Sequence, residues 1–206
     1  PAIKTPNECF EVNVVGTQRV LEWSRMHSVK KVIYSGTSSL YGHQNQIPFQ
    51  PNMPADCLNP YSMSKWMGEQ VCKLYFQLYD LESIVLRYFN VYGPREPVKG
   101  RYAPVVGLFK RKAKEGGFMT IVGDGHQRRD FTYIDDIVEA NICAMNSKIK
   151  HNIYNVGTGK NYSIVEVANM IGGKKAYLDE RPAEVRQTLA DISETTKDLG
   201  WKPRYS

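Results

Sequence analysis

Tyr61 and Lys65 stand four residues apart. On a helix that spacing puts a phenol and an ammonium on one face, one turn from each other. A free tyrosine titrates near ~10 and is a poor base at neutral pH. A fixed cation beside it favours the phenolate, and holding that ion at neutral pH takes about 4 kcal/mol of differential stabilisation. The pair reads as an acid/base catalyst. Tyr and Lys at this spacing also occur by chance in many helices, so the elements around them must carry the argument.

The helix has a start signal. Asn59 suits the capping position and Pro60 the first helical one. The periodicity predicts a helix from there to about Tyr79, with Trp66, Val71, Leu74, Tyr75 and Leu78 as apolar anchors. Upstream, Val32, Ile33 and Tyr34 form a short apolar run that ends in a Ser/Gly/Thr cluster, which predicts a buried parallel strand over 31–35. A second such run predicts a strand over 83–88. Ligands of open α/β sheets bind beyond the carboxyl ends of such strands. Earlier still, Thr5-Pro6-Asn7-Glu8 reads as a capping box opening a helix to about Met26, with Phe10, Val14, Thr17 and Leu21 on one face. Beyond Pro94 the units shorten: a helix near 104–115, a strand at 119–122, a helix at 134–146, a strand at 152–156 and a last helix from about Ser163. The alternation is that of an α/β fold.

These segments, in order, resemble the extended short-chain dehydrogenase/reductase family, and within it the NAD-dependent nucleotide-sugar epimerases and dehydratases. Asn13-Val-Val-Gly-Thr17 is similar to the family's Asn-Val-x-Gly-Thr helix segment. Thr37 falls at its active-site Ser/Thr position, ahead of Tyr41-Gly42, and Tyr61 and Lys65 match its Tyr-x-x-x-Lys. Arg87-Tyr-Phe-Asn90, Gly123-Asp-Gly…Arg129-Asp130, Arg181-Pro-Ala-Glu184 and Asp191…Leu199-Gly-Trp-Lys-Pro203 match its later motifs. The resemblance covers nearly the whole chain. It implies the C-terminal part of a Rossmann-type doubly wound parallel sheet, with a small mixed α/β substrate-binding region.

Roles follow from the resemblance. Tyr61 is the expected base, Lys65 its stabiliser and a contact of the nicotinamide ribose, and Thr37 a donor to the sugar oxygen as it becomes a carbonyl. Asn13, Ser35 and Tyr88, together with Tyr61 and Lys65 themselves, are expected on the NAD side, and Asn90 on the substrate diphosphate. Arg129 and Arg181 match positions that grip the diphosphate, a task suited to the guanidinium fork, and Glu184 one that accepts from the nucleotide ribose. Five of these have a structural alternative: a turn or capping hydroxyl for Thr37, strand-end residues for Tyr88 and Asn90, a structural contact for Asn13, an ion pair with Arg181 for Glu184. Arg128 reads as a surface charge. Asp135 and Asp136 read as acids favoured in a helix's first turn rather than as catalysts.

The family's dehydratases follow the active-site Thr with Asp-Glu, and its sugar-nucleotide decarboxylases carry a Glu in the same loop. Here the residues are Ser38 and Ser39, whose hydroxyls cannot replace a carboxylate as acid or base at neutral pH. That departure favours a 4-epimerase, and the resemblance implies a UDP-linked hexose or N-acetylhexosamine as its substrate. The alternatives are a dehydratase or reductase of the same family, or a non-catalytic relic that keeps the fold as a binding module.

The family's glycine-rich pyrophosphate loop is absent from the sequence, as is an early strand bearing an acidic residue for the adenosine ribose. The expectation is a fragment of a longer protein, because the chain starts without Met or signal. Residues 1–92 are expected to be the remnant of the NAD-binding domain and 93–206 the nucleotide-sugar-binding region, interleaved with it. Trp23, Val12, Met63 and Met67 supply a second apolar face on the first two long helices. In the resembling family these helices form a four-helix dimer interface, so a homodimer is expected.

Composition narrows the classes. A chain of 206 residues that is 42% hydrophobic and 23% charged matches a soluble globular protein with a substantial core. No apolar run approaches the ~20 residues of a membrane span. The net charge of +6 comes with interspersed acids, and its basic clusters sit at expected helix ends, so no nucleic-acid partner is expected. Cys9, Cys57, Cys72 and Cys143 lie far apart and, like the four histidines, form no metal-ligand pattern. They read as reduced thiols of a cytoplasmic protein without a metal.

Overall fold

Unbroken helix opens the chain: α1 (Pro6–Phe10), a π-helical turn (Glu11–Val15) and α2 (Gly16–Met26) follow one another directly. The computed structural model describes residues 2–97, 103–179 and 185–205. The capping box expected at Thr5 does not form. Thr5 stands at the N-cap with φ −131° and ψ 63°, outside the extended geometry that aims a side-chain oxygen at the first-turn amides, and makes no capping bond. Leu21 is buried, while Phe10, Val14 and Thr17 are half-buried.

β1 (Lys31–Thr37) runs into a 3-10 turn (Ser38–Tyr41), and α3 (Pro60–Tyr79) follows a long loop. Here the capping box does form: Asn59 Oδ1 accepts from the Ser62 N–H at 3.0 Å, and Ser62 Oγ accepts from the Asn59 N–H at 3.3 Å. β2 (Glu82–Tyr88) and β3 (Asn90–Tyr92) precede α4 (Val105–Lys114) and β4 (Phe118–Val122). Then come β5 (Arg128–Arg129), β6 (Phe131–Tyr133), α5 (Ile134–Asn146) and β7 (His151–Val156). The chain ends with β8 (Tyr162–Ser163), α6 (Ile164–Ile171), β9 (Lys174–Leu178) and α7 (Ser193–Leu199). The strands β3, β5, β6, β8 and β9 and helix α7 were not expected; most are too short for hydrophobic periodicity to register.

The main sheet has three parallel strands in the order β1-β2-β7, with Thr37 opposite Tyr88 and Tyr88 opposite Val156. Helices cover both faces, as parallel sheets require. On one side Ile84, Leu86, Tyr154 and Val156 pack against Ile137, Ala140 and Trp201. On the other, Tyr34 and Val85 pack against Leu21, Cys72 and Tyr75. A separate cluster, including Phe109, Met119, Ile121 and Val167, joins α4, β4 and α6, with β9 paired to β4.

α3 turns differently from its expected orientation. Leu74 and Leu78 are exposed, not anchors, and the buried stripe runs through Ser64, Gly68, Cys72 and Tyr75. Small residues bring the helix close to β1: a Cβ on Gly68 would lie 2.1 Å from the Tyr34 hydroxyl oxygen. That close seam takes the sheet-facing side, and the larger apolar side chains fall outside it.

Candidate active site

The carboxyl ends of β1 and β2 open on a cavity of about 340 Å³, whose lining includes Thr37, Ser39, Tyr61, Tyr88, Asn90 and Arg129. Strand pairing puts Thr37 beside Tyr88, and the capped N-terminus of α3 delivers Tyr61 to the same space. Residues spread over more than ninety positions of sequence thus meet at the end of one sheet.

Thr37 is nearly buried and also performs the capping role open to it. Its oxygen accepts from the Ser39 N–H and donates to Ser39 Oγ, both at 3.2 Å. Tyr61 is exposed at the cavity lip. Lys65 follows one turn on but is not among the residues lining the cavity. Its Nζ lies 4.3 Å from the centre of the Tyr34 ring, while the Tyr34 hydroxyl donates to the Lys65 carbonyl at 3.2 Å. Burial lowers the Lys65 pKa, opposed by the nearby Glu69 carboxylate, and burial pushes the Tyr34 phenol well above its ordinary range.

Tyr88 donates to Asn141 Oδ1 at 3.0 Å, and Ser35 Oγ approaches the Tyr88 oxygen at 3.5 Å. Asn90 is exposed, anchored through its N–H to the Asp130 carbonyl at 3.0 Å. Arg129 Nη1 donates to the Arg128 carbonyl at 2.9 Å, with the side chain on the cavity wall. Asn13 lies outside this cavity. Its Nδ2 donates to Ser64 Oγ at 2.9 Å, and it lines a second, mostly apolar hollow of about 650 Å³ with Ile3, Cys9, Val12 and Tyr61. Tyr61 therefore borders both spaces. Arg181 and Glu184 lie outside the described residues.

Arg128 is more than a surface charge. It donates to Asn161 Oδ1 at 2.8 Å and pairs with Glu166 at 3.1 Å, tying β5 to β8 and α6. Asp136, in the first turn of α5, is buried and accepts the N–H groups of Arg204 at 2.9 Å and Tyr205 at 3.1 Å, so it also pins the final residues. Among the described residues no cluster of His, Cys, Asp or Glu could hold a metal ion, and no helix is long and apolar enough to cross a membrane. The four cysteines are free thiols.

Two buried groups that support the site escaped sequence reasoning. Asp130 is fully buried and accepts from the Thr158 N–H (2.7 Å), Thr158 Oγ1 (2.8 Å), the Gly159 N–H (3.0 Å) and the Ala190 N–H (3.1 Å). It binds the loop after β7 and the segment before α7 to the strand end beside Arg129. Burial raises its pKa, against the pull of those donors. A Cβ on Gly157 would lie 2.5 Å from Ala190 Cβ and 2.9 Å from Asp130 Oδ2, so this junction requires glycine. Asp130→Asn sets an NH2 against at least one backbone donor in either orientation, the Thr158 N–H or the pair from Gly159 and Ala190, and should cost about 2 kcal/mol in chemical denaturation. The Arg-Asp motif marked the residue, but no local pattern reveals acceptance from loops thirty and sixty residues away. The second group is the Glu69–Arg87 ion pair beneath Tyr41, with Arg87 Nη2 2.7 Å from Glu69 Oε2.

A family model described as "NAD dependent epimerase/dehydratase family" matches residues 2–157. A putative UDP-glucose 4-epimerase of Methanocaldococcus jannaschii is 37% identical over 98% of this chain and 67% of its own length. A UDP-glucuronate 4-epimerase of Thermodesulfobacterium geofontis is also 37% identical, over 100% of this chain and 64% of its own. The crystal structure of the Thermotoga maritima UDP-glucose 4-epimerase with UDP-glucose superposes with a TM-score of 0.95 at 30% identity, over 100% of this chain and 68% of that one. The chain spans about two thirds of the length of these proteins.

Proposed function

This chain belongs to the NAD-dependent epimerase/dehydratase family, and we propose that the protein carrying it is a nucleotide-sugar 4-epimerase acting on a UDP-linked hexose, N-acetylhexosamine or related sugar. The observation that carries the reading is the meeting of Thr37, Tyr61, Asn90 and Arg129 around one cavity at the carboxyl ends of parallel strands. The UDP-sugar 4-epimerases among its relatives support the same reaction class.

The residues present fit the nicotinamide end of NAD. Ser35 is an exposed hydroxyl at the end of β1, Tyr88 stands beside it, and the Tyr61 ring faces both the polar cavity and the apolar hollow. Ser35, Tyr88, Lys65 and Asn13 are the residues assigned to hold it. NAD, when bound, supplies a hydride acceptor that later returns the hydride. Tyr61 takes the proton of the sugar's C4 hydroxyl, with Lys65 favouring the phenolate. Thr37 turns its one proton from Ser39 Oγ to the same oxygen as it gains carbonyl character. The 4-keto sugar then turns over within the cavity, presenting the opposite face of C4 to the returning hydride, and Tyr61 gives its proton back to the C4 oxygen. Asn90, Arg129, Arg181 and Glu184 are assigned to the nucleotide, so that the diphosphate stays anchored while the sugar rotates. Ser38 and Ser39 offer no carboxylate for dehydration. In this reading residues 1–92 serve the cofactor side and 93–206 the nucleotide sugar.

The test is acid release of NAD from the purified protein, quantified against protein, followed by incubation with UDP-glucose, UDP-N-acetylglucosamine and UDP-glucuronate. Near-stoichiometric NAD and interconversion of one C4 pair are expected. NAD without any epimerisation would point to a dehydratase or reductase. Absence of both would favour a binding module.

We further propose a homodimer through α1, α2 and α3. Val12 on the π-helical turn, Val20, Trp23 and Met26 on α2, and Met63, Met67, Leu74 and Leu78 on α3 are all exposed, more apolar surface than scattered exposure explains. Gel filtration at micromolar concentration should give a dimer, and Trp23→Glu with Leu78→Glu should shift it to a monomer. A monomeric parent would refute the assignment.

A further inference from the structure

Tyr88 lines the cavity with its proton already committed. Its hydroxyl donates to Asn141 Oδ1 at 3.0 Å, and Asn141 sits on α5, half-buried under the sheet. The same amide donates through Nδ2 to the Ile137 carbonyl at 2.7 Å. A carbonyl only accepts, so the amide nitrogen must face Ile137 and the amide oxygen must face Tyr88. That orientation sets the polarity of the chain: Tyr88 gives its one proton to Asn141, and its oxygen keeps lone pairs for a donor on the other side. Ser35 Oγ, at 3.5 Å, approaches from there. The Ser35 and Tyr88 side chains come from neighbouring parallel strands, so the oxygen's place is fixed by the sheet and its hydrogen-bonding sense by the helix.

We propose that Asn141 is a positioning residue. It holds Tyr88 as a hydrogen-bond acceptor at the cofactor end of the cavity, for an N–H or O–H donor such as the carboxamide or a ribose hydroxyl of a bound nicotinamide nucleotide. A tyrosine without this partner can turn its proton toward the ligand and meet a donor with a donor. The proposal rests on the reading of Tyr88 as a cofactor contact given above, and it adds the direction of the bond and the residue that sets it.

The experiment is a double-mutant cycle in the protein that carries this chain, with Asn141→Leu, Tyr88→Phe and both together. Each single variant should lower kcat about fivefold to tenfold, the loss expected of one hydrogen bond, with KM for the nucleotide sugar within about twofold of the parent. The double variant should lose no more than the worse single one. A residue that merely braced α5 would lower thermal stability and leave kcat of the folded Asn141→Leu protein unchanged, and one acting apart from Tyr88 would give a double variant whose loss is the product of the two single losses; either pattern overturns the proposal. Tyr88→Phe probes the same bond from its other end should Asn141→Leu fold poorly, and an unchanged kcat there refutes it equally. If the parent neither carries NAD nor epimerises, the functional reading fails first and this assignment falls with it.

Discussion

Replacing Tyr61 with Phe in the protein that carries this chain should lower epimerase turnover by about 10²–10⁴-fold, the span of a lost general acid/base. The substitution removes one oxygen from an exposed ring at the cavity lip. It leaves the Asn59–Ser62 capping box intact, so the helix start that positions the ring is unchanged. Surface changes of this kind stay within about ±0.5 kcal/mol of stability, and the melting curve should overlay the parent's. Bound NAD should be retained, because the cofactor contacts assigned to Ser35, Tyr88 and Asn13 are untouched. Steady-state rates, NAD content and a thermal melt on the same sample separate the cases. Unchanged turnover would remove Tyr61 from the chemistry, and lost turnover with a collapsed melting point would make its role structural.

Glu69→Ala should cost about 3–5 kcal/mol, the penalty of leaving one partner of a buried ion pair alone. Glu69 is completely buried and takes Arg87 Nη2 at 2.7 Å and Nε at 3.1 Å. Arg87 Nη1 also donates to the Tyr41 hydroxyl and the Pro51 carbonyl, each at 2.9 Å. Tyr41 passes its own proton to Asn155 Oδ1 at 2.6 Å, and Asn155 Nδ2 donates to the Phe49 carbonyl at 2.7 Å. One network therefore joins α3, which carries Tyr61, to β2, which carries Tyr88, and to the turn after Thr37. Burial raises the Glu69 pKa while the guanidinium pulls it back. Gly36 makes room: a Cβ there would lie 3.0 Å from Glu69 Oε1 and 3.2 Å from Arg87 Cγ. At 2–4 °C per kcal/mol for a chain of this size, the melting point should fall by about 10 °C. Combining Glu69→Leu with Arg87→Met should recover part of the loss, since an apolar pair leaves no stranded charge. A loss below about 1 kcal/mol for Glu69→Ala would refute the view that this pair holds the site's floor.

The extent of α3, the two strands β1 and β2 and the capping of α3 were legible from local sequence. Apolar periodicity and capping chemistry act over a few residues, and Asn59-Pro60 satisfies both at once. The similar-looking start at Thr5 failed because capping needs a backbone angle that residue identity does not set. The grouping of Thr37, Tyr61, Asn90 and Arg129 came from resemblance, since local spacing cannot bring distant strand ends together. Arg181 and Glu184 had the same support and lie outside the described residues.

What sequence alone determined is the set of chemical groups and the local elements that present them: a phenol at a helix start, hydroxyls at strand ends, guanidiniums in later loops. Only the tertiary structure decided their partners. Glu69 looks like an ordinary polar helix position until its partner arrives from a strand eighteen residues on. Lys65 shares the Tyr61 face by spacing, yet its ammonium lies over the Tyr34 ring, brought near by β1. Helical spacing fixes which side chains share a face; packing against another element fixes what each one touches, and a charge or hydroxyl acts through what it touches.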